Sequence, residues 1–426
     1  MVAQWLLLLL MHLWKYQMGK KPVISIVGIC ESGIDSLEPS ARKRVRGANV
    51  LVGSKRHLQL VPKRIGQTHL LWRANFSQVL PLLRKPKPGE RIVILSTGDP
   101  LWFGIAERLI KTLGPKAIEI FPNVNAFSLA AARLSWGLSD PMVRTISIHS
   151  QPFSAINKEI ISGHRLLILS KDGDSPKQIA TLLMERGFGE SKIAVLEHMG
   201  GNKERRVNGT ASDNWKKYSF SNLNILAVDC KASTQAVQWS LNPGLPEKAY
   251  IHDGKITKRV IRAVTISALE PMPGHVLWDV GSGSGSIAIE WLRSCSSVKA
   301  VAIERDKKQL SRIKLNSETL GTPHLKIVEG QAPKIFLKIK ENPQKIFIGG
   351  GISSPKIINE CIERLLPTGL IIANSVTIES KQKLLRLWKK YGGDLTTLAT
   401  SSANSIGRYN AFRPAMEVMQ WRWQKN

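Results

Sequence analysis

The sequence predicts an α/β protein in two parts, a two-lobed N-terminal half and a C-terminal doubly wound, Rossmann-like sheet. Three observations predict it. Runs of β-branched residues bounded by Gly and Pro alternate with helical stretches, a turn-rich break falls near residue 240, and a Gly-Ser-Gly-Ser-Gly loop joins a strand to a helix beyond it. Continuous apolar runs of this kind suit strands covered on both faces, as in a parallel sheet.

Residues 1–21 are expected to be an extension outside the fold. Trp5 to Met11 (WLLLLLM) is too short to span a membrane, no Lys or Arg precedes it, and no small-residue cleavage site follows, so no stable membrane insertion is expected. A first α/β domain is placed at 22–235. Its strands begin with Val23–Val27, Asn49–Val52 before Gly53, and Ile92–Leu95 before the turn Ser96-Thr97-Gly98-Asp99-Pro100. The helical stretch Phe127–Leu134 and the turn-rich Ser135–Pro141 separate these from Thr145–His149, Leu166–Leu169, Ile193–Leu196 and Leu223–Val228, which predicts a second sheet and a cleft between two lobes. Residues 236–248, with Asn242-Pro243-Gly244 and Leu245-Pro246, read as a linker. In 249–426 the strands Val276–Val280, Ala300–Ile303, Lys326–Val328, Lys345–Ile348 and Gly369–Ala373 alternate with helices, the rhythm of one doubly wound sheet.

The 426 residues suffice for two or three domains at roughly 100–200 residues each. Lys and Arg number 61 against 32 Asp and Glu, a net charge of +29. Such a field attracts a polyanion, whether nucleic acid, acidic lipid or a polycarboxylate; solvated lysine faces are the plainer account, and charge alone does not choose. Cys30, Cys230, Cys295 and Cys361 are scattered without C-x-x-C spacing, which indicates neither a disulfide framework nor a metal site and suits reduced thiols in the cytoplasm.

Chemistry is concentrated at strand ends in the second half. Strand Leu277-Trp278-Asp279-Val280 runs into Gly281, Ser282, Gly283, Ser284 and Gly285, and then into a helix, so a ligand can approach unpaired N–H groups at the helix N-terminus. The next strand closes on Glu304, about twenty residues on, where a carboxylate can accept hydrogen bonds from both ribose hydroxyls of an adenosine. The loop is not G-x-G-x-x-G, and lies closer to an S-adenosylmethionine site than to a dinucleotide site. Ala332 ends a third strand, Gly349 and Gly350 a fourth, and Asn374 a fifth, so these loops converge on one crevice at the carboxyl ends of the sheet. Each loop taken singly is equally a tight turn.

In order, His252-Asp253-Gly254-Lys255-Ile256-Thr257-Lys258-Arg259, the stretch Leu277 to Trp291, Ala302-Ile303-Glu304-Arg305, Glu329 to Pro333 and Phe347 to Gly351 resemble the decarboxylating precorrin methyltransferases of cobalamin biosynthesis. The first half resembles the tetrapyrrole (corrin/porphyrin) methylases through Ile26-Val27-Gly28-Ile29, Leu51-Val52-Gly53 with Arg56-His57-Leu58, Gly98 to Gly104, Ala130 to Leu134, and Val195-Leu196-Glu197 with Gly200-Gly201. The resemblance implies S-adenosylmethionine-dependent methylation of two meso carbons, C-5 and C-15, with loss of carbon dioxide from the C-12 acetate, in a homo-oligomer. It implies cofactor contacts at Thr257, Gly281 to Gly285, Glu304 and Ala332, and at Gly28, Gly98, Asp99 and Pro100 in the first half. A tetrapyrrole with many carboxylates suits cationic clamps, for which Lys255, Lys258 and Arg259 are candidates, with Gly349, Gly350 and Asn374 lining the crevice. No catalytic residue is singled out. Asp99 either positions substrate or caps the Pro100 turn.

The sequence departs from these families at Cys30, where glycine is usual, at Asn125 and Ala126, and at Val260, where an acidic residue is common. Two rivals follow. One is a nucleic-acid methyltransferase, disfavoured because Gly349-Gly350-Gly351 stands where base methylases carry Asn/Asp-Pro-Pro-aromatic and because no basic, aromatic-interleaved RNA module is visible, so nucleic acid is not an expected partner. The other is a precorrin methyltransferase whose N-terminal half is a non-catalytic scaffold, motivated by Cys30.

Overall fold

A computed structural model describes residues 24–72, 78–149, 151–352 and 354–426; the expected extension 1–21 lies outside them. The chain divides into two compact units. One comprises residues up to 149 with 163–231; the other comprises 150–162 with 232–426. Among the described residues no helix is long and apolar enough to cross a membrane.

The first unit holds two sheets. Strands β1 (Ile24–Ile29), β2 (Val50–Gly53), β3 (Thr68–Leu71), β4 (Ile92–Thr97) and β5 (Ile118–Phe121) form a parallel sheet of order β3-β2-β4-β1-β5. Side chains alternate across β1: Ile24 and Ile26 pack with Val52, Ile94 and Leu109 on one face, while Val27 and Ile29 pack with Leu51, Leu95 and Val45 on the other. Both faces are covered by apolar side chains, which is why these strands read as unbroken hydrophobic runs. The second sheet contains β6 (Val143–Ser147), β7 (Arg165–Leu169), β8 (Lys192–Glu197), β9 (Arg205–Thr210) and β10 (Asn224–Asp229), in the order β6-β7-β10-β8-β9. Only β6 and β7 run parallel; the other pairs are antiparallel.

The second unit is one seven-stranded sheet of order β13-β12-β11-β14-β15-β19-β16. Strands β11 (Val276–Val280), β12 (Lys299–Glu304), β13 (Lys326–Glu329), β14 (Lys345–Ile348) and β15 (Leu370–Ser375) are mutually parallel, so their carboxyl ends share one edge. Strands β16 (Asp394–Leu398) and β19 (Val418–Gln424) close the sheet antiparallel to each other, and the ribbon β17 (Ser401–Ile406) and β18 (Tyr409–Pro414) is inserted between them. The sheet order reverses between β11 and β14, which is where a ligand crevice opens in doubly wound folds.

The turn-rich 236–248 stretch is packed at its end: Leu245 and Ala249 are buried with Ile266, Leu269 and Trp291. Residues 150–162 leave the first unit's sequence and join the second, where Asn157 Nδ2 donates to the Glu318 carbonyl at 2.9 Å. A Cβ on Gly321 would come within 2.5 Å of Lys158 N, so the fit there is close. The contiguous range 22–235 therefore takes in residues 150–162 and 232–235 of the second unit.

Candidate active site

In the second unit the glycines of the β11 loop serve three different needs. Gly281, Gly283 and Gly285 all take positive φ, at 73°, 57° and 81°, where a side chain is strained. A Cβ on Gly285 would lie 3.1 Å from Ile313, so this glycine lets helix Lys307–Thr319 pack close, and one on Gly281 would meet Gly350 N at 3.2 Å. Gly283 faces open space, with nothing within 4 Å of a built Cβ. That opening is the cradle a ligand needs.

Asp279 and Glu304 stand on either side of this loop. Asp279 is buried, and its Oδ2 accepts from Ser282 Oγ at 2.7 Å and Ala288 N at 3.1 Å, while among the described residues its buried Oδ1 has no partner. Burial pushes its carboxyl up to about 6; the Ser282 and Ala288 bonds oppose this and the Glu304 charge adds to it. An orphaned carboxylate oxygen at the loop fits a cationic group. With the carboxyl raised to about 6, protonation below that value removes its charge. The affinity of a ligand that sets an ammonium against this oxygen is therefore expected to fall as pH drops from 7.5 to 5 in calorimetric titration, and Asp279→Asn is expected to flatten that dependence.

Glu304 is already engaged. Its Oε2 accepts from Gly283 N at 2.9 Å, and its Oε1 from Arg305 N at 2.8 Å and Asp306 N at 3.1 Å. A carboxylate offers about four lone-pair sites, so one remains for a sugar hydroxyl unless Gly283 N gives up its bond. Ala332, at the end of β13, is half-buried against the core containing Trp278 and Phe336, while Gly349 and Gly350 are exposed at the end of β14.

Among the expected carboxylate clamps, Lys255 and Lys258 are exposed. Arg259 is not free: its Nε donates to the Gly244 carbonyl at 2.7 Å. Asn374 is likewise engaged, donating to Thr265 Oγ1 at 3.0 Å and accepting from Gln420 Nε2 at 2.9 Å. Thr257 lends its carbonyl to Arg262.

Two groups that sequence reasoning missed fix the lead-in segment to the site. Asn316 is buried and donates to the carbonyls of Ile251 and Ser284 while accepting from Ile251 N at 2.7 Å, which ties the segment to the glycine loop. Gln309 and Arg312 on the same helix hold Asp253 at 2.8 and 2.9 Å. The second group is a buried ion pair, Arg262 with Glu290 at 2.6 Å. An acid and a base set among the apolar residues of their helices were the available signal, because such charges are buried only when paired.

In the first unit Gly28 and Gly98 touch. A Cβ on Gly28 would lie 1.8 Å from the Gly98 carbonyl oxygen, and one on Gly98, at φ 58°, would lie 2.8 Å from Asn125 Cα. Asn123 Nδ2 donates to the Gly28 carbonyl at 3.2 Å, and Asn125 caps helix Ala126–Leu134 by accepting from Ser128 N at 2.9 Å. Asp99 caps its turn, accepting from Leu101 N at 2.8 Å, while Pro100 is buried beside it. The Cys30 thiol donates to the Val124 carbonyl at 3.3 Å, and burial raises it above the usual thiol range.

Beside this glycine pair lies a polar chain. Arg56 pairs with Glu31 and donates to Thr97 Oγ1 at 2.6 Å; Thr97 Oγ1 also meets His57 Nε2 at 2.8 Å; and Glu31 Oε2 meets His198 Nδ1 at 2.9 Å. Burial pushes the Glu31 carboxyl up, but its bonds with His198 and Arg56 outweigh this and leave it below its usual range. Burial, then the Arg56 charge, lowers His57 to about 4, so its ring is neutral.

A seven-stranded sheet reversing at β11 and β14, with a glycine loop and an acidic strand end beside it, defines the second unit as a Rossmann-like methyltransferase domain. The comparisons agree with that class and name the first unit's as well. The Precorrin methyltransferase domain family matches residues 248–425, and the Tetrapyrrole (Corrin/Porphyrin) Methylases match residues 23–213. The chain is 35% identical over 405 residues to a precorrin-6Y C(5,15)-methyltransferase (decarboxylating) of Sinorhizobium sp., covering 95% of this chain and 97% of that one. It is 36% identical over 403 residues to the protein so named in Mycobacterium tuberculosis, covering 94% and 99%. The solved C-terminal domain of precorrin-6Y C5,15-methyltransferase from Rhodobacter capsulatus is 37% identical, covering 44% of this chain and all of that one, with a TM-score of 0.42. The chain belongs to the precorrin-6Y C(5,15)-methyltransferase (decarboxylating) family.

Proposed function

We propose that this chain is a bifunctional enzyme of cobalamin biosynthesis that methylates C-5 and C-15 of a precorrin and removes carbon dioxide from its C-12 acetate. The second unit decarboxylates and methylates one meso carbon, and the first unit methylates the other. The observation that carries the reading is the open Gly283 cradle between the orphaned Asp279 oxygen and the Glu304 carboxylate at the edge of the second sheet.

S-adenosylmethionine, when bound, supplies a methyl group on a positively charged sulfur. Gly281 to Gly285, Asp279, Glu304, Thr257 and Ala332 would hold it in the second unit, and Gly28, Gly98, Asp99 and Pro100 in the first. The protein contributes chiefly by positioning, since methyl transfer needs the accepting carbon aligned close to the donor. Asn316 and the Arg262–Glu290 pair hold the lead-in segment in register with the glycine loop, and Lys255 and Lys258 offer cations to substrate carboxylates. The same reading puts the enzyme in the cytoplasm, where its four cysteines, none of them in a disulfide, stay reduced, and in a homo-oligomer.

Calorimetric titration of the full chain with S-adenosylhomocysteine tests it together with mass analysis of the product. Two sites per chain, two methyl gains and the loss of one carbon dioxide are expected. A single site would make the first unit a scaffold, and an unchanged precorrin would overturn the reading.

A further inference from the structure

The polar chain of the first unit ends in a histidine whose role the proposed activity leaves open. His198 follows the carboxyl end of β8, and Glu31, its partner, lies just past the end of β1, three residues after Gly28. Thr97, further along the same chain of contacts, immediately precedes Gly98. The histidine is therefore linked through both neighbours to the glycine pair that marks the expected cofactor loop. About a quarter of its side-chain surface is exposed, and among the described residues Nε2 has no hydrogen-bond partner. Its backbone takes φ 48°, a conformation uncommon for a residue with a side chain. Gly201 packs against it from the following turn, where a Cβ would lie 2.7 Å from Glu31 Cβ and 3.3 Å from the His198 carbonyl.

An ionised carboxylate only accepts hydrogen bonds. Arg56 holds Glu31 in that form, so in a neutral His198 the proton sits on Nδ1 and the lone pair on Nε2. This arrangement of carboxylate, oriented imidazole and exposed nitrogen is suited to accepting a proton.

We propose that Nε2 of His198 accepts the proton released when the first unit methylates its ring carbon, an inference that rests on the function proposed above. The new C–CH3 bond forms as the S–CH3 bond of the sulfonium donor breaks, and sulfur keeps the bonding pair to become a neutral thioether. The methylated carbon then loses its hydrogen: the C–H electron pair restores the double bond of the ring, and the proton passes to Nε2. Glu31 steadies the imidazolium that results, and Arg56 keeps Glu31 ionised.

His198→Gly is the informative variant because glycine adopts the left-handed backbone at this position without strain. In single turnovers of the full chain with a 13C-methyl donor, one of the two product methyl signals is expected to appear at least ~100-fold more slowly, and added imidazole is expected to restore part of the rate. S-adenosylhomocysteine should still bind as it does to the wild type. Glu31→Gln, nearly isosteric, is expected to slow the same signal about tenfold without rescue by imidazole. A readout independent of turnover is the 15N spectrum of the wild-type imidazole, expected to show the Nδ1–H tautomer. A His198→Gly rate equal to wild type, or an Nε2–H tautomer, would overturn the inference while leaving the function standing. A wild-type chain that adds no methyl to a precorrin would overturn both.

Discussion

Glu290→Ala is expected to destabilise the second unit by about 3–5 kcal/mol, the usual cost of removing one partner from a buried ion pair. Arg262 is fully buried, and its guanidinium donates to Glu290, to the Thr257 carbonyl and to the Leu245 carbonyl, stacked 4.9 Å over the Tyr250 ring. Glu290 receives more than the arginine. Its Oε1 accepts from Tyr250 OH and Leu245 N, both at 3.0 Å, and its Oε2 accepts from Gly244 N at 2.7 Å. Burial, with the Glu290 charge next, holds Tyr250 well above its ordinary range, so its hydroxyl remains a donor. Alanine would strand four donors and a buried positive charge at once. Urea unfolding followed by tryptophan fluorescence measures the loss, since Trp278 and Trp291 are both buried in this unit. Replacing Arg262 and Glu290 together by apolar residues is expected to recover only part of it, because the Gly244 and Leu245 amides stay without an acceptor. A loss below about 1 kcal/mol, the range of a surface pair, would show that the pair is not the anchor described here.

Glu304→Ala is expected to weaken S-adenosylhomocysteine binding at one of two sites by about a hundredfold. A hydrogen bond from a ribose hydroxyl to the one lone pair left on this carboxylate is worth about 1.5–3 kcal/mol, and about 2.7 kcal/mol corresponds to a hundredfold in affinity. The free protein offers a way to separate binding from loop support. Glu304 also holds Gly283 N and its own two successors, so a side chain serving only the loop would show lost stability with little lost affinity. The binding role predicts the reverse, a selective drop in affinity with a small change in unfolding midpoint. Glu304→Gln, keeping one acceptor, should fall between. If calorimetry returns an unaltered affinity for Glu304→Ala, the second unit's cofactor site is misassigned.

The sequence announced strands where both faces are apolar and went quiet where they are not. β1, β4, β11 and β14 are covered on both sides and stand out as runs of Ile, Val and Leu. β3, β5 and β9 are edge strands, half open to solvent, and their Thr, His, Glu and Arg residues break the pattern. In the antiparallel closure β16 is such an edge, while β19 lies inside the sheet but has its apolar run interrupted by Gln420 and Arg422. In the site, Gly281 to Gly285 and Glu304 were legible because a positive φ and a strand-end acid leave local marks. Asn316, Glu290, Glu31 and His198 were not, because their partners lie 65, 28, 25 and 167 positions away and only the fold brings them together. The engagements of Arg259 and Asn374 were hidden likewise: spacing can put a cation or an amide near a crevice but does not show whether a carbonyl has already taken it.

The excursion of residues 150–162 bears on any attempt to dissect the enzyme. A backbone cut near residue 240 severs the two catalytic modules only on paper, since the downstream fragment leaves behind the strap that seats Asn157 on Glu318 and Lys158 against Gly321. During synthesis that strap leaves the ribosome well before the surface it belongs to exists. A freestanding version of the second module bares the helix end at Glu318 and Gly321, and is expected to gain stability when a peptide spanning 151–162 is supplied.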